Sequence, residues 1–280
     1  MKSINVYIDD PCVFDYADWS LLEDSFDITF LPLEDRFLCD VLCVGFERVI
    51  DDAFLSEYVN VKHIVCPCTG SDHIDISSDV NIIKLIPSEI NDIPASSEFA
   101  LLMVLAILRK FNAVLTYSNI QVGEDLMDKT VGLLGHGRIG KRLEGYLKAL
   151  GANVIWHDIK EDGLSKEDVL RRSDVVVLLV SATPENRNYI SKEDFDKMDR
   201  CPYFVNVSRG FIVNDQDLLS ALQDGAIKGA ALDVVDDEVV FCDYLRANMN
   251  LIITPHTAGS TLQSRRKAID FVFNKLKSID

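Results

Sequence analysis

The stretch TVGLLGHGRIGKRL, residues 130–143, constrains the fold of this chain more than any other. An apolar run leads into Gly135, Gly137 and Gly140 in the order G-x-G-x-x-G, and RIGKRLEGYL continues with helical character. The next apolar run, ANVIWHD, ends on an acid, Asp158, 18 residues after Gly140. Strand, glycine turn, helix, strand and acid in that order make a βαβ unit that binds a dinucleotide. Gly135 permits the tight turn, Gly137 lets the backbone approach a pyrophosphate, and Gly140 lets helix and strand pack closely. The helix N-terminus offers N–H groups and partial positive charge to the anion. A carboxylate at Asp158 accepts from a ribose 2′-hydroxyl and repels a 2′-phosphate, so the spacing predicts NAD in preference to NADP.

The rest of the chain repeats this alternation. Before the turn, INVYI, ITFLPL, DVLCVGF, HIVCPC and NIIKLI are short β-rich runs separated by acidic segments. After it come SDVVVLLVS, PYFVNVS, IKGAALDVV and NLIITPH. Continuous apolar runs of this kind suit parallel strands covered on both faces by helices, so the class is α/β with parallel sheets. Between the two series stands ASSEFALLMVLAILRKF, read as a mostly buried helix over about residues 97–111, with Ser96 and Ser97 as candidate N-caps and Glu98 in the first turn. It reads as a strut between two α/β units. The last segment, STLQSRRKAIDFVFNKLKSI, is an amphipathic helix capped by Ser260 or Thr261.

Composition excludes several classes of partner. With 280 residues, 48% of them apolar, the chain can bury a full core. A formal net charge of −17 disfavours nucleic acid and anionic membrane surfaces, both of which need clustered Lys and Arg. A small anion is compatible with it where local cations outweigh the global field. The opening MKSINVYIDD reads as a first strand and not a signal peptide, and no apolar run reaches the roughly 18 residues of a spanning helix. Cys12, Cys39, Cys43, Cys66, Cys68, Cys201 and Cys242 are scattered, with no C-x-x-C pair. They are expected to be reduced structural thiols of a cytoplasmic protein, with no zinc or other metal site.

Three later segments give a bound dinucleotide a use: VNVSRGFIV with Arg209, GAALDVVDDE with Asp233 and Glu238, and NLIITPHTAGST with His256. With the glycine turn, and in this order, they resemble the D-isomer-specific 2-hydroxyacid dehydrogenase family, from CTGSDHID at 68–75 to PHTAGST at 255–261. The resemblance implies an NAD-dependent enzyme that moves hydride between nicotinamide and a small 2-hydroxy or 2-oxo acid, with Arg209, Glu238 and His256 as its catalytic set. It also implies cofactor contacts at Arg138, Ile139, Val180, Val207 and Ser208, with Asp233 near the nicotinamide. Thr69, Gly70 and Ser71, together with Arg209, are the implied substrate contacts.

The residue types suit that chemistry. Reducing a 2-oxo acid needs a hydride at the carbonyl carbon, a proton at its oxygen and a cation for the carboxylate. An imidazole titrates near neutral pH and exchanges the proton. A glutamate on its other nitrogen orients the ring and favours the charged form. An arginine fork binds a carboxylate with two hydrogen bonds. His63, His73, His136 and His157 lack such a context, and His136 is expected to meet the cofactor through its backbone only.

Departures from the family pattern qualify the details. Val239 follows Glu238 where proline is usual, and Leu179 and Ser181 stand where the fourth strand often ends in H-x-P. Gly45 and Phe46 lie near where members acting on phosphorylated acids often carry arginine, which leans the substrate towards glyoxylate or hydroxypyruvate. The resemblance further implies two Rossmann-like or flavodoxin-like domains with a cleft between them. Residues 1–97 with 262–280 would form the substrate domain and 98–261 the NAD-binding domain, and the protein would be a homodimer joined through the latter. An NAD-sensing scaffold with little turnover, like the family's co-repressors, is the competing reading.

Overall fold

Short apolar runs become the strands of two large parallel sheets and one of two strands among the described residues. The structure, a computed structural model, describes residues 4–9, 27–45, 48–90, 92–116, 120–237 and 250–279. The chain divides into two compact units, Met1–Ile93 with Ser260–Asp280, and Pro94–Gly259.

The first unit contains β1 (Ile4–Ile8), β2 (Ile28–Phe30), β3 (Val41–Cys43), β4 (Ile50–Asp51), β5 (His63–Cys66), β6 (Ile74–Asp75) and β7 (Asn81–Lys84). Five of these form a parallel sheet in the order β2-β1-β3-β5-β7, and β4 pairs with β6 in a small parallel sheet of its own that the sequence pattern does not announce. Side chains alternate between faces. Val41, Cys43 and Val65 pack with Ile269, Phe271 and Val272 of the C-terminal helix Leu262–Leu276, whereas Leu42, Ile64 and Cys66 pack with Ile50, Leu55 and Tyr58. Each large side chain so buried contributes about 1.5–3 kcal/mol. Thr261 caps that helix, its hydroxyl accepting from Ser264 N–H at 3.1 Å, the second of the two caps the sequence offers.

The second unit contains β8 (Thr130–Leu134), β9 (Asn153–His157), β10 (Val175–Leu178), β11 (Tyr203–Asn206), β12 (Gly229–Leu232) and β13 (Leu251–Ile253). They form one parallel sheet in the order β13-β12-β11-β10-β8-β9. Its helices include α1 (Ala95–Leu108), α2 (Arg138–Ala149), α3 (Lys166–Arg172) and α4 (Asp215–Gln223). Val131, Leu133, Val175, Val177 and Val205 face Met103, Val104 and Ile107 of α1 and Leu143 and Leu147 of α2. Leu134, Val176, Leu178, Phe204 and Leu232 face Val169 and Leu170 of α3 and Leu218 and Leu222 of α4. Burial on both faces explains why these strands read as unbroken apolar runs.

Helix α1 starts earlier than the serines suggest. Pro94 is its N-cap without a side-chain hydrogen bond, and Ser96 and Ser97 lie inside the first turn. Ser97 is buried and its hydroxyl donates to the Ile139 carbonyl at 3.4 Å, so packing against α2 takes the hydroxyl that local pattern assigns to capping. After β8 the chain runs to β9 on one side, then returns to β10 on the other. The carboxyl ends of β8 and β10 therefore flank a topological switch point, where open α/β sheets bind ligands.

Candidate active site

The glycine turn sits at that switch point. Gly135 has φ +105°, and a Cβ there would lie 2.7 Å from the Leu179 carbonyl carbon and 2.9 Å from Val180 N, so the turn abuts the end of β10. A Cβ on Gly140 would come within 2.5 Å of Gly135 O, which is the close approach that lets α2 start here. Gly137, the N-cap of α2, is exposed and has nothing within 4 Å of where its Cβ would be. The turn is thus tight where it is packed and open at the helix N-terminus, where an anion approaches. Half-buried Arg138 stands in the first turn; burial and the nearby Arg142 charge lower its proton affinity, a state that a pyrophosphate would relieve. Ile139 is half-buried beside it.

Asp158 reaches back to the turn. Its Oδ2 accepts from His136 N–H at 2.7 Å and its Oδ1 from Lys160 N–H at 2.8 Å. Partial burial pushes this carboxyl up, but the two N–H groups outweigh it and hold the carboxyl below its ordinary value. It is therefore an anion beside the glycine turn, as recognition of an unphosphorylated ribose requires. These features fit a bound NAD: an open helix N-terminus, an arginine in its first turn and a carboxylate at the end of β9.

His136 does more than lend its backbone. Its buried ring stacks on Trp156 with centroids 4.2 Å apart and planes at 3°, while Nε2 meets Glu144 at 2.7 Å and Nδ1 meets Glu161 at 2.9 Å. The ring joins α2, β9 and the loop after Asp158 around the turn. Nothing local in G-H-G announces this, because its partners come from three separate segments.

The later motifs occupy the carboxyl ends of neighbouring strands: Arg209 after β11, Asp233 after β12 and His256 after β13. Neighbouring strands lie about 4.8 Å apart, so these segments share one edge of the sheet. Asn206, buried at the end of β11, ties the first of them: Oδ1 accepts from Ser208 N–H at 3.0 Å and Nδ2 donates to Arg209 O at 3.1 Å. Ser208 Oγ donates to Val180 O at 2.5 Å, which joins two of the expected cofactor contacts, while Val207 is buried against the sheet. Arg209 is half-buried and its Nη1 donates to Ser208 O at 3.0 Å.

Asp233 is fully engaged in holding the next segment. Its Oδ1 accepts from Thr254 Oγ1 at 2.7 Å and Thr257 N–H at 2.8 Å, and its Oδ2 from Ala258 N–H at 2.9 Å. Its carbonyl accepts from His256 N–H at 2.9 Å, and His256 has φ +49°. A left-handed non-glycine residue costs of order 1–3 kcal/mol and persists where its surroundings over-determine it. Here the buried carboxylate does that, so half-buried His256 is presented by a loop fastened at both sides.

Glu238 and Val239 lie outside the described residues, as does Phe46. The segment that leads to Glu238 is described. A Cβ on Gly210 would fall 2.1 Å from the Val235 carbonyl carbon, so the Arg209–Gly210 backbone rests directly on residues 235–236. Asp215, buried in the first turn of α4, accepts from Asp236 N–H at 3.0 Å and Asp237 N–H at 2.8 Å. Burial, together with the Asp236 and Asp237 charges, pushes its carboxyl above the ordinary value in spite of those bonds.

In the first unit, Thr69 is exposed and Gly70 and Ser71 are half-buried on the connection from β5 to β6. Lys84 Nζ, at the end of β7, donates to Ser71 Oγ at 2.7 Å and places a cation at this loop, which the sequence pattern does not reveal.

Known proteins match this chain at both levels. The profile of the D-isomer specific 2-hydroxyacid dehydrogenase NAD-binding domain matches residues 102–258. A glycerate dehydrogenase of Methylorubrum extorquens is 29% identical over 252 residues, covering 80% of this chain and 77% of that one. A glyoxylate reductase of Aeropyrum pernix is 27% identical over 267 residues, covering 85% and 75%. The D-lactate dehydrogenase of Aquifex aeolicus, crystallised with NAD and lactic acid, superposes with a TM-score of 0.81 at 23% identity, over 98% of this chain and 94% of that one. A glyoxylate reductase from Paecilomyes thermophila gives 0.83 at 23% identity, over 99% and 95%. Those identities carry the fold, two parallel α/β units, and the profile carries the kinship: the chain belongs to the NAD-dependent D-isomer-specific 2-hydroxyacid dehydrogenases.

Proposed function

We propose that the protein reduces a small unphosphorylated 2-oxo acid, glyoxylate or hydroxypyruvate, to the D-2-hydroxy acid, with Arg209, Glu238 and His256 as the catalytic set. The observation that carries this reading is the row of strand ends: β11, β12 and β13 present Arg209, Asp233 and His256 side by side, in the sheet whose switch point bears the glycine turn. When bound, NADH supplies the hydride to the carbonyl carbon. His256 gives its proton to the developing alkoxide oxygen, and takes it back in the reverse direction. Arg209 holds the carboxylate with its fork and polarises the carbonyl. Glu238 orients the imidazole and favours its charged form. Thr69, Gly70 and Ser71 hold the acid from the first unit, with Lys84 beside them.

The names of the relatives, glycerate dehydrogenase and glyoxylate reductase, support a small acid. Lys84, hydrogen-bonded to Ser71, is a cation placed at the loop, while Arg36, Arg48 and Lys62 pair with Glu57, Asp9 and Asp40. We further propose a homodimer formed through the second unit and a cytoplasmic location.

Loss of NADH absorbance with a panel of 2-oxo acids tests the reading. Glyoxylate or hydroxypyruvate is expected to turn over, and His256→Ala to lower kcat roughly 10²- to 10⁴-fold with NADH affinity retained. Equal inactivity of wild type and His256→Ala across the panel, with NADH still bound, would replace the enzyme by an NAD-sensing scaffold.

A further inference from the structure

The C-P-C sequence that precedes the Thr69–Ser71 loop carries thiols of unlike character. Among the described cysteines, Cys39 and Cys43 are packed in the first unit's core, and burial pushes the Cys39 thiol up to about 12 and that of Cys43 higher still. Such thiols are inert. Cys66 is as deeply buried, at 0% exposure, yet it sits at the carboxyl end of β5 with its Sγ against the Cys68 thiol and 3.6 Å from His73 Nε2. The hydrogen bond from Cys68, opposed by burial and reinforced by His73, holds the Cys66 thiol well below its ordinary value. Cys68 is half-buried, and both are reduced thiols.

Chain geometry brings the pair within reach of a disulfide. Residues two apart have Cα atoms separated by at most about 7 Å, which overlaps the 4.4–6.8 Å range of disulfides. Their surroundings are linked to the loop. Cys66 is paired with Lys84 in the β5–β7 ladder, Lys84 holds Ser71, and Ile74 N–H donates to Ser71 O at 3.0 Å to close the turn that contains His73.

We propose that Cys66 and Cys68 are a redox-sensitive dithiol that hydrogen peroxide converts to an intramolecular disulfide, and that the disulfide weakens binding of the 2-oxo acid by displacing Thr69–Ser71. The second half rests on the substrate role proposed for that loop. Cys68, the more accessible sulfur, passes its proton to Cys66 and as thiolate attacks one peroxide oxygen; the O–O bond breaks, the other oxygen takes that proton back from Cys66 and leaves as water, and Cys68 becomes a sulfenic acid. The Cys66 thiolate then attacks Cys68 Sγ and the S–O bond breaks. The departing hydroxide takes a proton from solvent, matching the one Cys66 had released there, and leaves as a second water. Two thiols lose two electrons and one peroxide gains them. The existing Cys66–Cys68 contact then shortens to a covalent bond of about 2.05 Å, which constrains the Pro67 backbone from which Thr69 to Ser71 follow.

Hydrogen peroxide treatment of the full chain, then alkylation and non-reducing peptide mapping, reads the first half. The peptide spanning Cys66 and Cys68 is expected to lose two hydrogens and escape alkylation, reversibly with dithiothreitol, whereas Cys68→Ser keeps an alkylatable Cys66. Recovery of both cysteines as alkylatable thiols after peroxide overturns the proposal, whether or not the protein turns over any acid. Hydrogen exchange over residues 67–75 reads the loop independently of activity and is expected to rise on oxidation. In an active protein the KM for the acid rises and dithiothreitol restores it, with NADH affinity constant and Cys68→Ser insensitive. A disulfide that leaves both exchange and KM unchanged overturns the second half. Absence of turnover in the reduced protein counts against the proposed activity and leaves the disulfide to be judged on mass and exchange.

Discussion

Individual side chains here act mostly by fastening backbone. Asp233 reads in sequence as a residue beside the cofactor, and its carboxylate accepts three hydrogen bonds from the segment that carries His256. Asp158 likewise spends its oxygens on two N–H groups while keeping its charge at the turn. Removing that charge tests the cofactor preference. Asp158→Ala is expected to weaken NADH binding about tenfold, the effect of losing a hydrogen bond to a charged group, and to improve NADPH binding relative to NADH. Fluorescence titration with both nucleotides measures this; an unchanged ratio would show that Asp158 does not face the ribose. The motif glycines and Asp158 were legible because each stands at a characteristic spacing, whereas Arg209 and His256 were pointed to only by the family resemblance. Asn206, Asp215, His136 and Lys84 were not legible, since what they do depends on partners that only folding brings near.

At the scale of elements, the glycines of the turn separate two kinds of demand. Gly140→Ala drives a methyl to 2.5 Å from Gly135 O and is expected to cost about 1–3 kcal/mol of stability through forced displacement of α2. Gly137→Ala meets no protein atom within 4 Å, so its thermal midpoint should stay near wild type while NADH affinity falls, because the methyl stands where an anion approaches. Calorimetry with nucleotide titration distinguishes the two, and a stability loss at Gly137 equal to that at Gly140 would contradict the open cradle. Elsewhere in the second unit, Glu124 joins Lys129 at 2.5 Å, Tyr203 at 3.0 Å and Lys228 at 3.2 Å. Lys129, opposed by burial and helped by Lys228 and Tyr203, holds its carboxyl at about 2 against 4.5 for a free glutamate. A depressed carboxyl stabilises the fold fully above its unfolded value and loses that contribution as pH falls through its folded value. The urea midpoint should therefore decline between pH 4.5 and about 2, and Glu124→Gln should lower it at neutral pH while flattening that decline. Parallel acid profiles for the two proteins would remove Glu124 from the account.

For the whole molecule, the second unit carries several exposed apolar side chains close together in sequence. Leu115 is 72% exposed, Ile120 94%, Val122 78% and Met127 66%, all within one stretch of chain. Depletion of charge and enrichment of apolar residues mark interface cores, which supports the proposed homodimer. Light scattering after gel filtration is expected to give twice the chain mass, and Leu115→Glu with Val122→Lys to halve it; a wild-type monomer at micromolar concentration would refute the dimer. The sequence by itself determined the class of fold and the place of the dinucleotide turn, while the reaction type came from its resemblance to a known family. Apolar periodicity, turn glycines and motif spacing are local properties, and local properties survive in a string of letters. Tertiary structure alone decided that Pro94 and not a serine opens α1, that Asp233 braces the His256 loop, that His136 clamps the turn against Trp156, and that Cys66 lies beside His73. Each of these depends on which strands become neighbours, and strand order is set by the burial of both sheet faces at once, a condition that no single stretch of sequence contains.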